Sequence, residues 1–368
     1  MRIAGVEIRP FAVPLRAPLA TARGSVAVRA GFVVRLVADD GTEGLGEAAP
    51  HPHAPASELV AVRVQLSAAA TRLRGADVAR ADELIDEAGA CGGAVGMGLD
   101  MALHDLVARV RGVPVAKLLG GACGPLEASA LLDGDVVAAS VAASAAGFRV
   151  AKLKASPDPD ATAAMAARVT RVVPELALRI DANGTWNVAR ARHAMRALDP
   201  ARIAWLEQPV RASDPCALAD VRRHARTLGH RIAADECVRG PGDVRHIAAL
   251  DAADVIVVKL VQVGGLRRAV ATARAAHEAG LEAVVTTGLE TSLGTAAALH
   301  LAAALASRGW AESPAGVATT GLLAADLVTE PICAAPWMTP PPGAGLGVTL
   351  AGHSRAAAED GASPGGVA

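Results

Sequence analysis

The 368-residue chain contains no tyrosine, and its only other aromatic residues are three phenylalanines and four tryptophans. Stacking on aromatic faces therefore cannot dominate the binding of a ligand. No block of five or more like charges occurs and the net charge is -1, so nothing draws the whole molecule to nucleic acid or to an anionic membrane surface. The expected partner is a small molecule. No run of eighteen apolar residues appears, and the opening MRIAGVEIRPFAVPL lacks the basic-then-apolar order of a secretory leader. A cytoplasmic location without a membrane partner is the expectation. The five cysteines, Cys91, Cys123, Cys216, Cys237 and Cys333, form no CxxC pair, which argues against a zinc ribbon or a disulfide framework and leaves buried free thiols. No Gly-x-Gly-x-x-Gly follows a strand-like segment, which argues against a nicotinamide-dependent oxidoreductase.

What is present is apolar material: 52% of the residues are hydrophobic and 20% charged, with alanine abundant throughout. The length suits a barrel of about 250 residues with a smaller second domain. The first fifty residues alternate in short β-like stretches, with Asp40-Gly41 supplying turn chemistry. From Ala56 to about Arg111 the pattern turns helical, with Leu59, Val62 and Leu66 at helical spacing and Leu99, Leu103 and Leu106 on one stripe. Strands first and helices second make an α+β unit over residues 1–122.

From Leu126 a short strand followed by an alanine-rich amphipathic helix recurs. The strand candidates are EASALL, FRVAKLKA, LALRIDAN, RIAWLEQP, HRIAADE, ADVIVVKL, LEAVVTTG and, eighth, RGWAESP. Eight strands alternating with helices predict an α/β fold, a closed (β/α) barrel over residues 123–330. A Pro- and Gly-rich segment with a strand-like GLGVTLAG, residues 331–352, is expected to return to the small domain, and residues 353–368 read as a disordered tail.

A barrel enzyme keeps its working side chains at the C-terminal ends of its strands. Those ends carry Lys152 and Lys154, then Asp181, Glu207, Asp235 and Lys259, and from Lys154 onward the intervals run from 24 to 28 residues. One β/α unit separates each from the next. Three acids ending successive strands repel one another unless a cation sits among them, and an all-oxygen set with no His or Cys favours a hard metal, Mg²⁺ first and Mn²⁺ as the alternative. Alternation along a strand lets Lys152 and Lys154 share one face. A lone Lys259 in the apolar run VIVVKLV needs an internal partner or a function. Such a set suits one chemistry. An α-proton beside a carboxylate is far too weakly acidic for lysine to remove unless strong positive charge steadies the product, and a lysine depressed by neighbouring cations can then act near neutral pH.

The stretches AKLKA, RIDANGTW, WLEQPV, ADEC, VVKLVQVGGL and GLETSLGTAAALHLAAAL, with LDMALHDLVARVRGVPVAKLLGG in the small domain, resemble the enolase superfamily and, within it, the muconate-lactonizing subgroup. The resemblance runs over about residues 1–350. It implies a Mg²⁺ site at Asp181, Glu207 and Asp235, a general base at Lys154, a cation at Lys152 that touches the substrate carboxylate, and an opposing lysine, Lys259, that acts as second acid/base or as charge stabiliser. It further implies supporting or substrate-facing roles for Asn183, Glu236 and Glu290. PLATARG (residues 18–24) and AAPHPHA (48–54) resemble the two small-domain loops that close over the substrate, although Thr21, Arg23, His51 and His53 also read as loop residues without specific contacts. His104 and His300 are expected to pack within helices.

The resemblance leaves the reaction open. Dehydration of the o-succinylbenzoate synthase type is the first expectation. Racemisation or epimerisation of N-acylamino acids or dipeptides, muconate-type cycloisomerisation, and a catalytically silent binding barrel are the alternatives. Dipeptide epimerases of this kind hold their substrate's ammonium on acids after strand eight, and Ser313 to Ala325 contain none, which disfavours a free-ammonium substrate. Symmetric homo-oligomers are common in the superfamily, so such an assembly is allowed.

Overall fold

The computed structural model describes residues 1–21 and 24–352. The expected tail at 353–368 and the loop residue Arg23 lie outside the described residues. Strands β1 (Ile3–Thr21), β2 (Gly24–Ala38) and β3 (Glu43–Ala48) form an antiparallel sheet in that order. Between β2 and β3 the chain turns at Asp39–Gly41, where Gly41 adopts φ 83° and Asp40 Oδ1 accepts the Thr42 N–H at 2.9 Å. Alternation turns Val34 and Leu36 inward against helices α1 (Ala56–Leu73), α2 (Ala81–Cys91) and α3 (Gly93–Val110). Helix α3 is apolar nearly all round and buried nearly all along, as a helix sandwiched between layers must be. It approaches β3 so closely that a Cβ on Gly46 would stand 2.0 Å from the Gly98 carbonyl oxygen. A short α4 (Val115–Leu118) and strand β4 (Leu126–Glu127) lead into the second domain.

There the chain alternates as the sequence pattern predicts: β5 (Ala130–Leu132), α5 (Val136–Ala145), β6 (Val150–Lys154), α6 (Pro159–Val172), β7 (Ala177–Asp181), α7 (Val188–Ala197), β8 (Ile203–Glu207), α8 (Pro215–Thr227), β9 (Ile232–Ala234), α9 (Pro241–Ala249), β10 (Val255–Val258), α10 (Leu260–Val263), α11 (Leu266–Glu278), β11 (Glu282–Val285) and α12 (Ser292–Ala306). Asp-Pro pairs start two of these helices. Asp158 and Asp214 accept main-chain N–H groups of the first turn, from Asp160 at 3.1 Å and Ala217 at 2.9 Å, while Pro159 and Pro215 have no N–H to leave unpaired. Strands β5 to β11 pair in chain order, all parallel.

The eighth position differs from expectation. RGWAESP forms no strand; Ala315 and Gly316, just beyond it, bridge the two edges instead. Ser129 donates to the Ala315 carbonyl at 2.8 Å, Ala315 N–H reaches Glu127 O at 2.8 Å, and Gly316 N–H reaches Val285 O at 2.8 Å. Pro314 has no N–H for a ladder, and its carbonyl is taken by Arg179 Nη2 at 2.7 Å from inside the barrel, so regular pairing cannot extend back through it. The Arg179 guanidinium lies 3.9 Å over the ring of Trp205, which with Val255, Val257 and Val284 fills the barrel below the strand ends.

The segment after the barrel carries β12 (Trp337–Met338), paired with β4. The expected strand GLGVTLAG is reduced to two isolated bridges, Pro114–Gly345 and Val328–Leu350, because Gly345 and Gly347 take left-handed φ of 76° and 68°. This segment contacts α3 and α4: Val115 donates to Gly345 O at 2.9 Å and Arg109 to Val348 O at 3.0 Å. The cysteine expectation is also corrected. Cys91 and Cys216, at helix ends, and Cys123 and Cys333, in irregular segments, are exposed, and only Cys237 is half-buried. His104 and His300 are buried within α3 and α12. No helix among the described residues is long and apolar enough to cross a membrane.

Candidate metal centre and active site

Parallel pairing sets the site. Lys154 of β6 stands opposite Asp181 of β7, and Asp181 opposite Glu207 of β8, so three strand ends are level, and Asp235 follows β9. One carboxylate oxygen from each of Asp181, Glu207 and Asp235 lies within 4.8 Å of the others, and all three residues are buried. Lys152 Nζ bridges Asp181 at 2.8 Å and Glu207 at 2.7 Å. Lys259, directly after β10, pairs with Asp235 Oδ2. Among the described residues the Lys154 amine makes no hydrogen bond or ion pair.

These environments separate the three amines. Burial would lower Lys152, but the charges of Asp181, Glu207 and Asp235 outweigh it and hold this amine above its usual range. Lys259 is raised in the same way, with Asp235 overcoming burial. Lys154 goes the other way: burial, reinforced by the like charges of Lys152 and Lys259, lowers it against the pull of Asp181. Asp235 is raised by burial in spite of Lys259.

The oxygen-only donor set fits a hard divalent cation, and so does an orphan: Asp235 Oδ1 is buried with no hydrogen-bond partner among the described residues. Around the acids the supports are specific. Asn183, at φ 45°, donates its main-chain N–H to Asp181 Oδ1 at 3.0 Å and its side chain to Glu236 Oε1 at 3.1 Å. Glu236 and Asn183 face the cavity described below. Glu290 does not join them. It is buried beside Glu47, and its carboxylate accepts the Gly288 N–H, holding the loop after β11 from behind.

Several contributors were not singled out from the sequence. Gln208, at φ 36°, accepts the Asp235 N–H at 3.0 Å, and Gln262 donates to the Asp235 carbonyl at 2.6 Å. Both had a signal: one follows Glu207 directly, the other is one helical turn beyond Lys259. Arg29, Glu47 and Leu289 had none, because their roles depend on the small domain meeting the barrel. Glu47 of β3 accepts from Thr291 N at 3.1 Å, Thr291 Oγ1 at 2.6 Å and Gly294 N at 3.0 Å, capping α12 across the domain boundary. Burial pushes its carboxyl up to about 7, against the opposing charge of Arg29.

Above the acids lies a cavity of about 350 Å³, lined by the three lysines, Asp181 and Glu207, and roofed by small-domain residues including Thr21, His51 and His53. Thr21 Oγ1 and His53 Nε2, from the two expected loops, are 2.5 Å apart. The arrangement can hold a carboxylate against a cation with an amine on either side.

Comparison with known proteins agrees with this geometry. Residues 3–120 match the mandelate racemase/muconate lactonizing enzyme N-terminal domain, and residues 135–354 match the enolase C-terminal domain-like family. The chain is 31% identical to an L-Lys-D/L-Arg epimerase of Methylococcus capsulatus over 83% of this chain and 87% of that protein. It is 36% identical to an o-succinylbenzoate synthase of Thermobifida fusca over 56% of this chain and 63% of that one. A dipeptide epimerase of Enterococcus faecalis V583, solved with Mg and the dipeptide L-Leu-L-Tyr, superposes with a TM-score of 0.87 at 26% identity, covering 95% of this chain and 100% of that one. The chain belongs to the mandelate racemase/muconate lactonizing enzyme family of the enolase superfamily, and is an enzyme of that family.

Proposed function

We propose that the protein catalyses Mg²⁺-dependent proton transfer at the carbon next to a carboxylate, racemising or epimerising an N-acylated amino acid. The observation that carries this reading is the placement of Lys154 and Lys259. They end β6 and follow β10, with the three acid-bearing strand ends lying between them in the sheet order. A substrate carbon held between those amines has one on each face. Lys154, lowered toward its neutral form and without a hydrogen bond, takes the proton from one face; Lys259, held as an ammonium, returns one to the other. The outcome is inversion. Lys152, fixed between Asp181 and Glu207, keeps its charge beside the substrate carboxylate. A divalent cation bound by Asp181, Glu207 and Asp235 would supply Lewis acidity to that carboxylate as negative charge develops.

Dehydration, the first expectation from sequence, has less support. The two compared proteins that align over most of the chain are epimerases, and the synthase aligns over 56% of it. Racemisation uses two amines on opposite faces, whereas a same-face elimination needs one base. The test is ¹H NMR of α-proton exchange in D₂O over a panel of N-acylamino acids, dipeptides and the synthase substrate. Exchange with loss of optical purity is expected for an N-acylamino acid; turnover of the synthase substrate alone would overturn the reading.

A further inference from the structure

A second cavity, of about 380 Å³, opens where α3 meets the starts of α2 and α11, and it shares no lining residue with the first. That volume suits a small molecule. Val107 and Val110 of α3, Ile85 of α2, Leu118 of α4 and Val78, which opens the 3₁₀ turn Val78–Arg80, give it apolar walls.

His104 of α3 also lines this cavity and is 4% exposed. Its Nδ1 is taken by Asp100, 2.9 Å from the carbonyl oxygen and 3.1 Å from Oδ1. Asp100 is fixed in turn, because its carboxylate accepts the Leu266 and Arg267 N–H groups at 2.6 and 3.2 Å where α11 begins. The ring is held by one side. Its other nitrogen, Nε2, has no hydrogen-bond partner among the described residues and is left to the cavity. Burial lowers this imidazole, but the charge and hydrogen bonds of Asp100 outweigh burial and the opposing charge of Arg267, and raise it above its ordinary value. The protonated ring carries an N–H on Nε2, a buried donor in want of an acceptor.

A second donor stands on the same helix face. Arg111, the C-cap of α3, follows His104 by seven residues, about two turns, and is exposed with no ion pair among the described residues. The acids that line the cavity are already engaged. Asp82 is paired with Arg267, which also reaches Asp86 at 3.1 Å, and Asp77 accepts the Ala79 N–H at 3.0 Å. His104 and Arg111 are the donors that remain for a ligand, and the acceptor that suits both is an anion.

We infer that this cavity is a binding site for a small aliphatic carboxylate, its anionic end at His104 Nε2 and Arg111 and its chain against the apolar walls. The site stands apart from the catalytic centre and does not depend on the proton transfer proposed above. Hexanoate, hexanamide and hexylammonium serve as probes, since they share a chain length and differ in charge. Protein carrying ¹³C-labelled histidine, at about pH 6, reports binding at the ring itself. The His104 signal is the one missing from His104→Gln, and calorimetry of Arg111→Glu beside the parent protein gives the same comparison without that assignment. Hexanoate is expected to shift the His104 signal saturably and to bind about tenfold tighter than either other probe. Arg111→Glu changes an exposed position and is expected to weaken hexanoate by about threefold or more while the melting temperature stays near that of the parent protein. A His104 signal that hexanoate leaves in place, equal affinity for the three probes, or a preference for hexylammonium overturns the inference. So does hexanoate affinity that Arg111→Glu leaves unchanged.

Discussion

The side-chain oxygen of Gln208 accepts the main-chain N–H of Asp235 at 3.0 Å, so the residue after one metal-site acid fixes the backbone of the next. Gln208 does this from φ 36°, and its amide nitrogen is in turn held by Val210 O at 2.9 Å. Supports of this kind typically change metal affinity by about 10–100-fold when removed. Gln208→Ala is therefore expected to weaken Mg²⁺ binding by about tenfold, measured by calorimetry on the folded variant. Affinity equal to that of the parent protein would show that the hydrogen bond does not position Asp235.

Asp235 itself offers a sharper test of the centre. Asn in its place keeps the shape but removes the charge that both balances Lys259 and completes the acid set. Asp235→Asn is expected to lower Mg²⁺ affinity by more than the Gln208 change, about 100-fold or greater, since a direct ligand is altered. Calorimetric titration of both variants side by side decides it; the reverse order would place the ion elsewhere.

The two lysines should separate by isotope pattern. With Lys259→Ala, Lys154 can still remove a proton from one face, but nothing returns one to the other. One enantiomer should exchange its α-proton in D₂O without racemising, at a rate reduced by about 10²–10⁴-fold through loss of a positioned acid/base and of charge. Lys154→Ala should show the opposite enantiomer preference. Equal loss of exchange from both enantiomers in both variants would contradict one lysine per face.

Much of this was legible in the sequence because parallel barrels repeat. Lys152, Lys154, Asp181, Glu207, Asp235 and Lys259 each end or follow a short apolar strand, and the interval between successive strand ends nearly fixes their convergence. What the repeat does not encode was not legible. The eighth position is held by Ala315 and Gly316 through contacts to residues far away in the chain, and Pro314 hides them from any strand pattern. Leu289 reads as an ordinary loop residue until the β1–β2 hairpin is packed on it. Glu290 follows it with a carboxylate that sequence assigns naturally to the site, but the turn of the chain points it to Gly288.

Asp105 tests how the small domain is joined to the rest. It is fully buried in α3 and accepts from Leu45 N at 2.8 Å, Leu346 N at 2.6 Å and Arg109 Nε at 3.0 Å, so one carboxylate ties β3, the C-terminal segment and its own helix. Asp105→Ala strands two buried N–H groups and a guanidinium. The expected loss is about 3–5 kcal/mol, the range for breaking a buried pair by removing one partner. Denaturant unfolding gives the number; a loss below about 1 kcal/mol would mean that water replaces the carboxylate freely.

His300 predicts an acid limit to stability. Its Nδ1 accepts the Ala116 N–H at 3.3 Å, so the proton of the neutral ring sits on Nε2, which is buried near the Leu346 main chain with no close hydrogen-bond partner among the described residues. Burial lowers this imidazole to about 4 from the ordinary 6.5. The folded protein thus refuses a proton that the unfolded chain binds between those values, and linkage makes stability fall as pH drops from 6.5 toward 4. The loss attributable to this group is at most about 3 kcal/mol. His300→Gln keeps a side-chain oxygen within reach of Ala116 but does not titrate, so its stability should decline less steeply over that window even if it starts lower. Parallel pH profiles for the two proteins in urea unfolding would assign the acid sensitivity to other groups.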